Sequence, residues 1–280
     1  MGKILAVLAC FGFMAGAADA QDIQQMLKKL KGVKKLNVDV VLFAENEETP
    51  YGKLEFKLNE KGDVTQYTVD ALGGYYTNDY SYEYDGQGRK TKMIQKFHEI
   101  LRGKTVFKYN ADGSFTETLV EYAGEKAGKE QESDITTTEY DTKGRVVSVL
   151  RFYKFLNARI HQVYRYNQKG YLEDMQEDSG GQVESLTTFK NDERGNILER
   201  LKLDLAAGKI AERTTSTWND RNDALEICDY ENEKLSKKQQ LAYVYNDKGH
   251  PKELTIKMFG AGDEKPVMSI KAKMEYEYYK

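Results

Sequence analysis

One short phrase recurs along the chain and limits what the chain can fold into. At eight places an Asn or Asp stands three residues before a Gly, or in one case before an Asn, at successive intervals of 26, 25, 31, 26, 25, 27 and 27 residues. The eight pairs are Asn59/Gly62, Asp85/Gly88, Asn110/Gly113, Asp141/Gly144, Asn167/Gly170, Asp192/Gly195, Asn219/Asn222 and Asn246/Gly249. Such regular recurrence predicts an internal structural repeat rather than one active site.

The residue types at these offsets predict one kind of turn. Asn and Asp favour the first position of a type I turn, where the side chain accepts a hydrogen bond from the backbone two residues on. Gly at the fourth position can adopt the left-handed conformation, and Asn222, the one exception, is of the next most tolerant residue type. A type I turn followed by a left-handed residue closes a β-hairpin through a G1 bulge.

The segments before the turns alternate with a period of two. Leu54, Phe56 and Leu58 alternate with charged residues, and so do Tyr80, Tyr82 and Tyr84 with polar ones. The chain has 20 Tyr and only three Pro, a composition that suits pleated strands. We therefore predict an all-β fold: an antiparallel meander of about eight tandem β-hairpin repeats, forming a twisted or curled sheet or solenoid with one packed face.

Glycine-containing segments between these turns predict a second turn in each repeat. They occupy residues 72–74, 101–104, 178–181, 206–209 and 260–263. The insertion at 122–134 accounts for the longest interval and is typical of a solvated loop. Each repeat is then two strands and two turns, and neighbouring repeats must stack to bury their apolar faces.

The first twenty residues are typical of a signal peptide. Lys3 precedes an apolar run from Ile4 to Ala18, and Ala18-Asp19-Ala20 matches a cleavage pattern. The run is too short to cross a bilayer as a helix. We expect cleavage after Ala20 and an exported protein, periplasmic, secreted or at the cell surface, that does not span the membrane; lipidation at Cys10 is the alternative.

The remaining chain divides into a cap and a repeat domain. Residues 21–53 are predicted to form an N-terminal cap of a short helix and the first strands, because Ile23, Met26, Leu27 and Leu30 have helical spacing. Such a helix would cover the first edge strand. Residues 54–280 are predicted to form the β-hairpin repeat domain.

The recurring phrase resembles the YD repeats of Rhs-like secreted and cell-surface proteins, whose hallmark is Tyr-x-Tyr-Asp-x-x-Gly-Arg. Residues 82–89 match it fully, residues 138–145 match except at Thr138, and elsewhere the match is looser. The resemblance implies β-hairpins that curl into a spiral or shell, without catalysis in the repeats. This chain has few, widely spaced repeats and no domain after its last strand, so it resembles a short stand-alone member.

No catalytic or metal-binding motif is recognisable in the sequence. His98, His161 and His250 lie far apart and none has metal-ligand spacing, so we assign them surface or packing roles. Cys228 is interpreted as a small buried apolar side chain. The expectation is a protein that is not an enzyme and needs no cofactor. With a net charge of −3 and dispersed Lys and Arg, nucleic acid is not the expected partner.

Two binding functions remain. The first is a non-catalytic exported repeat scaffold that binds a protein or cell-surface component through a broad sheet face. The alternative is a carbohydrate-binding module that uses exposed Tyr and Trp218 as stacking platforms for a surface glycan. Most tyrosines are expected in the core, so the candidate ligand-binding rings are those outside the buried register, namely Tyr75, Tyr76, Tyr122 and Tyr230.

Overall fold

A computed structural model describes residues 32–44, 47–71, 74–124 and 130–279. In this part of the chain the structure consists of eighteen β-strands: β1 (Val33–Ala44), β2 (Glu47–Leu58), β3 (Val64–Ala71), β4 (Gly74–Tyr84), β5 (Lys90–Phe97), β6 (Ile100–Tyr109), β7 (Phe115–Ala123), β8 (Gln131–Tyr140), β9 (Val146–Tyr153), β10 (Ala158–Tyr166), β11 (Leu172–Ser179), β12 (Gln182–Asn191), β13 (Ile197–Asp204), β14 (Lys209–Trp218), β15 (Ala224–Glu231), β16 (Lys234–Tyr245), β17 (Pro251–Gly260) and β18 (Met268–Tyr278). The all-β class is confirmed. The predicted signal peptide and cap helix lie outside the described residues.

The predicted open sheet or solenoid is wrong. Strand β1 is antiparallel to β2 on one side and to β18 on the other, with Val38 opposite both Leu54 and Met274. The eighteen-stranded antiparallel sheet is therefore closed through its first and last strands. Closure satisfies the backbone groups that a free edge strand leaves unpaired, which is why a terminal cap is not needed there.

Among the residues described, no helix is long and apolar enough to cross a membrane.

The described residues fall into two compact units. Unit 1 comprises the described residues up to Tyr76, Lys190–Leu201 and those from Ala211 onward, and unit 2 comprises the described residues of Thr77–Phe189 together with Lys202–Ile210. Each unit has its own apolar cluster.

Unit 1 has an aliphatic core on one face of its strands. Val38, Leu54, Leu254 and Ile256 are almost fully buried, and Ala272 lies among them with no exposed surface. They occupy alternate positions of β1, β2, β17 and β18, as the period-two pattern predicts.

The opposite face of the same strands carries paired charges. The ion pairs are Lys34–Glu277 at 2.7 Å, Lys35–Glu55 at 2.6 Å, Lys53–Asp39 at 3.7 Å and Lys271–Glu253 at 3.0 Å. Each joins adjacent strands, so these pairs favour one register, although each exposed pair contributes well under ~1 kcal/mol.

Unit 2 has a smaller core that is richer in aromatic and polar side chains. Tyr140, Val146, Tyr164 and Met175 form its buried cluster, and the Phe115 ring stacks on Tyr140 at 4.2 Å. Buried polar groups accompany them, including Thr105 and Thr187, which have no exposed surface.

The eight phrases form eight turns of one backbone geometry. In each turn, the N–H of the fourth residue donates to the carbonyl of the first Asx at 2.8–3.2 Å. The fourth residue has a positive φ in every turn, as predicted, so the left-handed conformation at these positions is confirmed. The φ values are 86° at Gly62, 76° at Gly88, 92° at Gly113, 73° at Gly144, 83° at Gly170, 84° at Gly195, 58° at Asn222 and 78° at Gly249.

The Asx side chain that opens the turn also holds it closed. At Asp141, carboxylate Oδ1 accepts the N–H groups of Lys143 and Arg145, both at 2.9 Å. The N–H of Asp141 donates in turn to the Arg145 carbonyl at 2.9 Å. The same bond, from the N–H of the Asx to the carbonyl four residues later, recurs in the other seven turns. Its donors there are Asn59, Asp85, Asn110, Asn167, Asp192, Asn219 and Asn246.

An arginine after the turn links one repeat to the next. Arg145 Nε donates to Asp141 Oδ2 at 2.7 Å, and its guanidinium lies 4.3 Å from the centre of the Tyr166 ring. Arg89 repeats both contacts, with Asp85 and Tyr109. These contacts explain physically why Tyr, Asp, Gly and Arg recur together, since each is used by a neighbouring turn.

One of the second turns lies elsewhere than predicted. Residues 101–104 belong to strand β6, and the chain reverses at His98 and Glu99, whose φ values are 47° and 66°. Positive φ at both residues is the geometry of a two-residue type I′ loop, which usually contains Asn or Gly. Gly103 instead packs in the strand, where an added Cβ would lie 3.2 Å from Leu119.

Candidate functional site

Strands β9, β10 and β11 of unit 2 bring together Ser148, His161 and Asp178. Ser148 Oγ lies 3.1 Å from His161 Nε2, and His161 Nδ1 lies 3.0 Å from Asp178 Oδ2. Both ring nitrogens therefore have a partner, a hydroxyl on one side and a carboxylate on the other. This order of groups and atoms is that of a serine nucleophile with its base and orienting acid.

The strand register produces this cluster. His161 lies opposite Leu150 on β9 and opposite Asp178 on β11, while Ser148 lies two residues before Leu150 on the same face. Side chains opposite each other in an antiparallel pair have Cβ atoms about 5 Å apart, within reach of an imidazole ring. The sequence places these residues 13 and 17 positions apart, so no local motif could reveal them.

Hydrogen-bonding capacity assigns the proton on His161. An ionised carboxylate only accepts hydrogen bonds, so Nδ1 must carry the proton and donate it to Asp178. In the neutral ring Nε2 is then an acceptor, and the Ser148 hydroxyl donates to it. The Asp178 carboxylate therefore selects the tautomer that can remove a proton from Ser148.

The cluster can be reached from solvent. The His161 and Asp178 side chains are 37% and 26% exposed. Exposed Leu150 and Val183 lie opposite His161 and Asp178 respectively, and Val163 lies opposite Ser148. Each of the three residues thus has one apolar cross-strand neighbour, and Ser148 also has an acidic one, Glu139 of β8.

No preformed oxyanion hole accompanies the cluster in the described strands. β9 is paired with both β8 and β10, so its backbone N–H groups are used by the sheet ladder. Removal of one oxyanion donor from an enzyme costs about 10²–10³ in rate. Chemistry at Ser148 would therefore be slow unless the substrate were already activated.

The residues predicted to form the turns take no part in this cluster. They lie in the loops between strands, whereas the cluster lies within three strands. These turn residues are Asn59, Gly62, Asp85, Gly88, Asn110, Gly113, Asp141, Gly144, Asn167, Gly170, Asp192, Gly195, Asn219, Asn222, Asn246 and Gly249.

Two of the turn glycines have a neighbour from the preceding repeat. An added Cβ at Gly170 would lie 3.2 Å from Arg145 Nη1, and one at Gly249 would lie 3.5 Å from Arg221 Nη1. At these two turns the absence of a side chain thus leaves room for the guanidinium as well as permitting positive φ.

A second feature of unit 2 is a group of exposed apolar side chains on two loops. Phe155 and Leu156 lie in the loop between β9 and β10 and are 87% and 76% exposed. Leu205, which follows β13, is 46% exposed, and its N–H donates to Glu184 O of β12 at 3.0 Å. We call Phe155 and Leu156, which are adjacent in one loop, the apolar rim.

The tyrosines predicted to bind ligand are distributed over both units. The side chains of Tyr75 and Tyr76, in β4, lie outside the part that the structure describes. Tyr122 of β7 is partly exposed opposite Glu132 in unit 2. Tyr230 of β15, in unit 1, lies 5.1 Å from the guanidinium of Arg213, so one face of its ring is in use.

Trp218 is not a free stacking platform. Its indole packs partly buried against the core of unit 1, and its N–H donates to Ile197 O at 2.8 Å. Cys228 is buried, and burial raises the pKa of its thiol, so it is not a ready nucleophile.

The other two histidines have packing contacts. The His98 ring lies 4.3 Å from the Phe97 ring, and His250 Nδ1 lies 2.9 Å from the Tyr278 hydroxyl. Within the described residues, no group of three or more His, Cys, Asp or Glu side chains could hold a metal ion.

Unit 1 also has a shallow polar groove of about 430 Å³ on the exposed face of β14 to β17. Thr217, Glu226, Gln240 and Lys257 line it, and Gln240 donates to Glu226 at 3.2 Å. Leu225, Leu241 and Ala242 also line the groove, and nothing in it indicates a ligand.

Comparison with known proteins gives structural neighbours only. No protein-family model matches the chain, and no curated protein matches it. A porin-like protein from Bacteroides uniformis is 11% identical with a TM-score of 0.49, and the match covers 88% of this chain and 97% of that protein's chain. A porin-like protein from Bacteroides vulgatus is 10% identical with a TM-score of 0.30, and the match covers 88% of this chain and 98% of that protein's chain.

A toxin complex, TcdB2-TccC3-TEV, is a third neighbour. It is 11% identical with a TM-score of 0.32, and the match covers 83% of this chain but only 16% of the toxin chain. All three TM-scores are below 0.5, so no function is transferred from these proteins.

Proposed function

We propose that this protein is an exported scaffold that binds a protein partner through the apolar rim of unit 2. The observation that carries the proposal is the exposure of Phe155 and Leu156, at 87% and 76%. Large apolar side chains grouped on a surface mark interaction sites, and aromatic residues are frequent anchors of protein interfaces. The repeats supply a rigid frame that holds the rim in place.

A protein partner has more support than a glycan. Sugar rings stack on the open faces of aromatic side chains. Trp218 uses its N–H and part of its surface inside unit 1, and Tyr230 is covered on one face by Arg213. Phe155, the most exposed aromatic ring among the large exposed apolar side chains, is followed directly by Leu156, which is also exposed.

We further propose that the mature chain does not span a membrane. The exposed face of unit 1 carries Lys35, Lys53 and Glu55 on neighbouring strands, while the aliphatic residues face the core. A lipid-facing strand has the reverse arrangement, and a Lys or Arg at the bilayer midplane costs about 2–4 kcal/mol. Export by the signal peptide followed by release, into the periplasm or beyond the cell, fits this distribution.

Membership of the YD-repeat proteins, as a short stand-alone chain, is part of the same proposal. Its support is the reuse of one contact set, in which Arg89 and Arg145 each join their own turn Asp to the Tyr of the following repeat. A repeat defined by such contacts needs no catalytic group of its own.

Site-specific photo-crosslinking in the producing cells tests the partner proposal. A benzophenone amino acid replaces Phe155 in one variant and Lys143 in the control variant. Lys143 is an exposed residue of the turn between β8 and β9 in the same unit. We expect one discrete adduct from position 155 that position 143 does not give.

The adduct is then identified and its protein component is purified for direct binding. Phe155→Ser should weaken that binding by about 10-fold or more, a typical loss for an aromatic anchor, whereas Lys143→Ser should not. Equal adducts from both positions, an adduct that contains glycan or lipid instead of protein, or unchanged affinity of Phe155→Ser would each refute the proposal.

A further inference from the structure

We propose that Ser148 is a nucleophile, activated by His161 and positioned through Asp178, that accepts acyl groups from small apolar esters. The proposal goes beyond binding at the apolar rim and departs from the sequence-based expectation that the chain is not an enzyme. It rests on the two contacts of His161, at 3.1 Å to Ser148 Oγ and 3.0 Å to Asp178 Oδ2.

The arrangement differs from a serine that meets a histidine by chance. Ser148 contacts Nε2, the nitrogen that the Asp178 carboxylate leaves unprotonated. If the Asp178 carboxylate contacted Nε2 instead, that nitrogen would carry the proton and could not accept the proton of the Ser148 hydroxyl. Each of three adjacent strands supplies one residue, so the sheet holds the order of the groups.

The reaction balances with ester and water alone. Ser148 Oγ attacks the ester carbonyl carbon while its proton passes to His161 Nε2, and Asp178 holds the imidazolium that results. The C–O bond to the alcohol breaks, and the alcohol leaves with the proton from Nε2. Water then attacks the acyl-Ser148 ester, gives its proton to Nε2, and the acid departs as Ser148 recovers its proton.

The surroundings indicate which ester would react. Val163 of β10 lies opposite Ser148, and exposed Leu150 lies opposite His161, so apolar side chains are available to the acyl group on the β10 side, while Glu139 of β8 lies on the other side of Ser148. The strand backbone offers no spare N–H for the developing oxyanion, so the leaving group must be good. Aryl esters of short fatty acids satisfy both conditions.

Other charged side chains share this face of the sheet. Arg159 and Arg165 lie on the same strand as His161, Asp174 lies with Asp178 on β11, and Glu139 of β8 lies opposite Ser148. Arg165 pairs with Asp174 at 2.7 Å. On β9 the residues of this face, Ser148, Leu150 and Phe152, carry no charge.

Labelling of the full mature protein with a fluorophosphonate tests the nucleophile. Ser148 Oγ forms a bond to phosphorus, fluoride leaves, and the hydroxyl proton passes to His161. We expect one adduct per chain, on the peptide that contains Ser148. Hydrolysis of p-nitrophenyl acetate should depend on the same serine.

Variants at Ser148, His161 and Asp178 separate the roles of the nucleophile, the base and the positioning residue, and Ser81→Ala is the matched control. Ser81 is an exposed strand serine of the same unit, opposite Ile94. Ser148→Ala should abolish the adduct, and His161→Asn should lower the labelling rate by about 10²-fold or more, the usual contribution of a general base. Ser81→Ala should label as the wild type does, and each variant should keep a cooperative melting transition because the altered side chains are half-buried or exposed and none belongs to an apolar core.

Asp178 is a positioning residue, and its test uses the ring tautomer. In ¹⁵N spectra, wild-type His161 should carry its neutral-state proton on Nδ1, and Asp178→Asn should shift it toward Nε2. The same variant should label about 10-fold more slowly or worse. The proposal is overturned by labelling away from Ser148, by no labelling at all, by an unchanged rate in His161→Asn, or by a proton on Nε2 in the wild type.

Discussion

Replacing Gly144 by Val tests whether positive φ is what the repeated turns require. Gly144 has a φ of 73°, and an added Cβ would meet nothing within 4 Å. Any loss of stability therefore comes from the backbone conformation alone and not from a steric clash with a neighbour.

The expected size follows from that conformation. An L-residue in the left-handed region loses about 1–2 kcal/mol relative to its preferred conformations, and β-branched Val lies at the upper end. In a domain of about 150–250 residues, each kcal/mol shifts the melting temperature by about 2–4 °C. We expect Gly144→Val to lower the melting temperature by about 2–8 °C.

Two further variants make the result specific. Gly86 lies in an equivalent turn of the same unit, but its φ is not positive and a Cβ there would also meet nothing within 4 Å. Gly86→Val should therefore leave the denaturation midpoint nearly unchanged. Gly144→Asn should lose less than Gly144→Val, because Asn222 occupies the same position at a φ of 58°. Equal losses for Gly86→Val and Gly144→Val would refute the reasoning.

Three other predictions concern pH, stacking and export. Burial raises the pKa of Glu117, although the Tyr140 hydroxyl donates to it and opposes the shift. A carboxyl group with a raised pKa contributes its full stability below about pH 4, and this contribution is lost as the pH rises through the folded-state pKa. Glu117→Gln should therefore raise the melting temperature more at pH 7 than at pH 4, and the reverse order would contradict the shift. Arg145→Ala should cost about 1 kcal/mol in urea denaturation through the loss of its contact with Tyr166, and a loss equal to that of Arg145→Lys would argue against stacking. Intact-mass analysis of the exported chain should show Gln21 as its first residue, and a longer chain would contradict cleavage after Ala20.

Features that depend on residues close together in the sequence can be predicted from it. The turn at Asp141 is held by bonds to the residues two, three and four positions later, so its chemistry is local. The alternation of Leu54, Phe56 and Leu58 likewise follows from one strand and its buried face. Such patterns state which segments are strands and which face is apolar.

Features that depend on distant residues were not accessible in the same way. Nothing in the alternation of β1 or β18 specifies that these two strands pair, because any apolar strand face would match another. The loop at His98 and Glu99 lacks the usual turn residues, so the glycine at 103 led to a predicted turn at residues 101–104, which belong to strand β6. Ser148, His161 and Asp178 meet only through the register of three strands, which the sequence pattern does not encode.

The pairing of the first and last strands is the central claim, and a zero-length carbodiimide crosslink tests it on the native chain. Lys34 Nζ and Glu277 Oε1 lie 2.7 Å apart across β1 and β18, and Lys35 and Glu55 lie 2.6 Å apart across β1 and β2 as an internal control. We predict both isopeptide links in monomeric protein, independent of concentration. A monomer that yields the Lys35–Glu55 link without the Lys34–Glu277 link would contradict closure of the sheet.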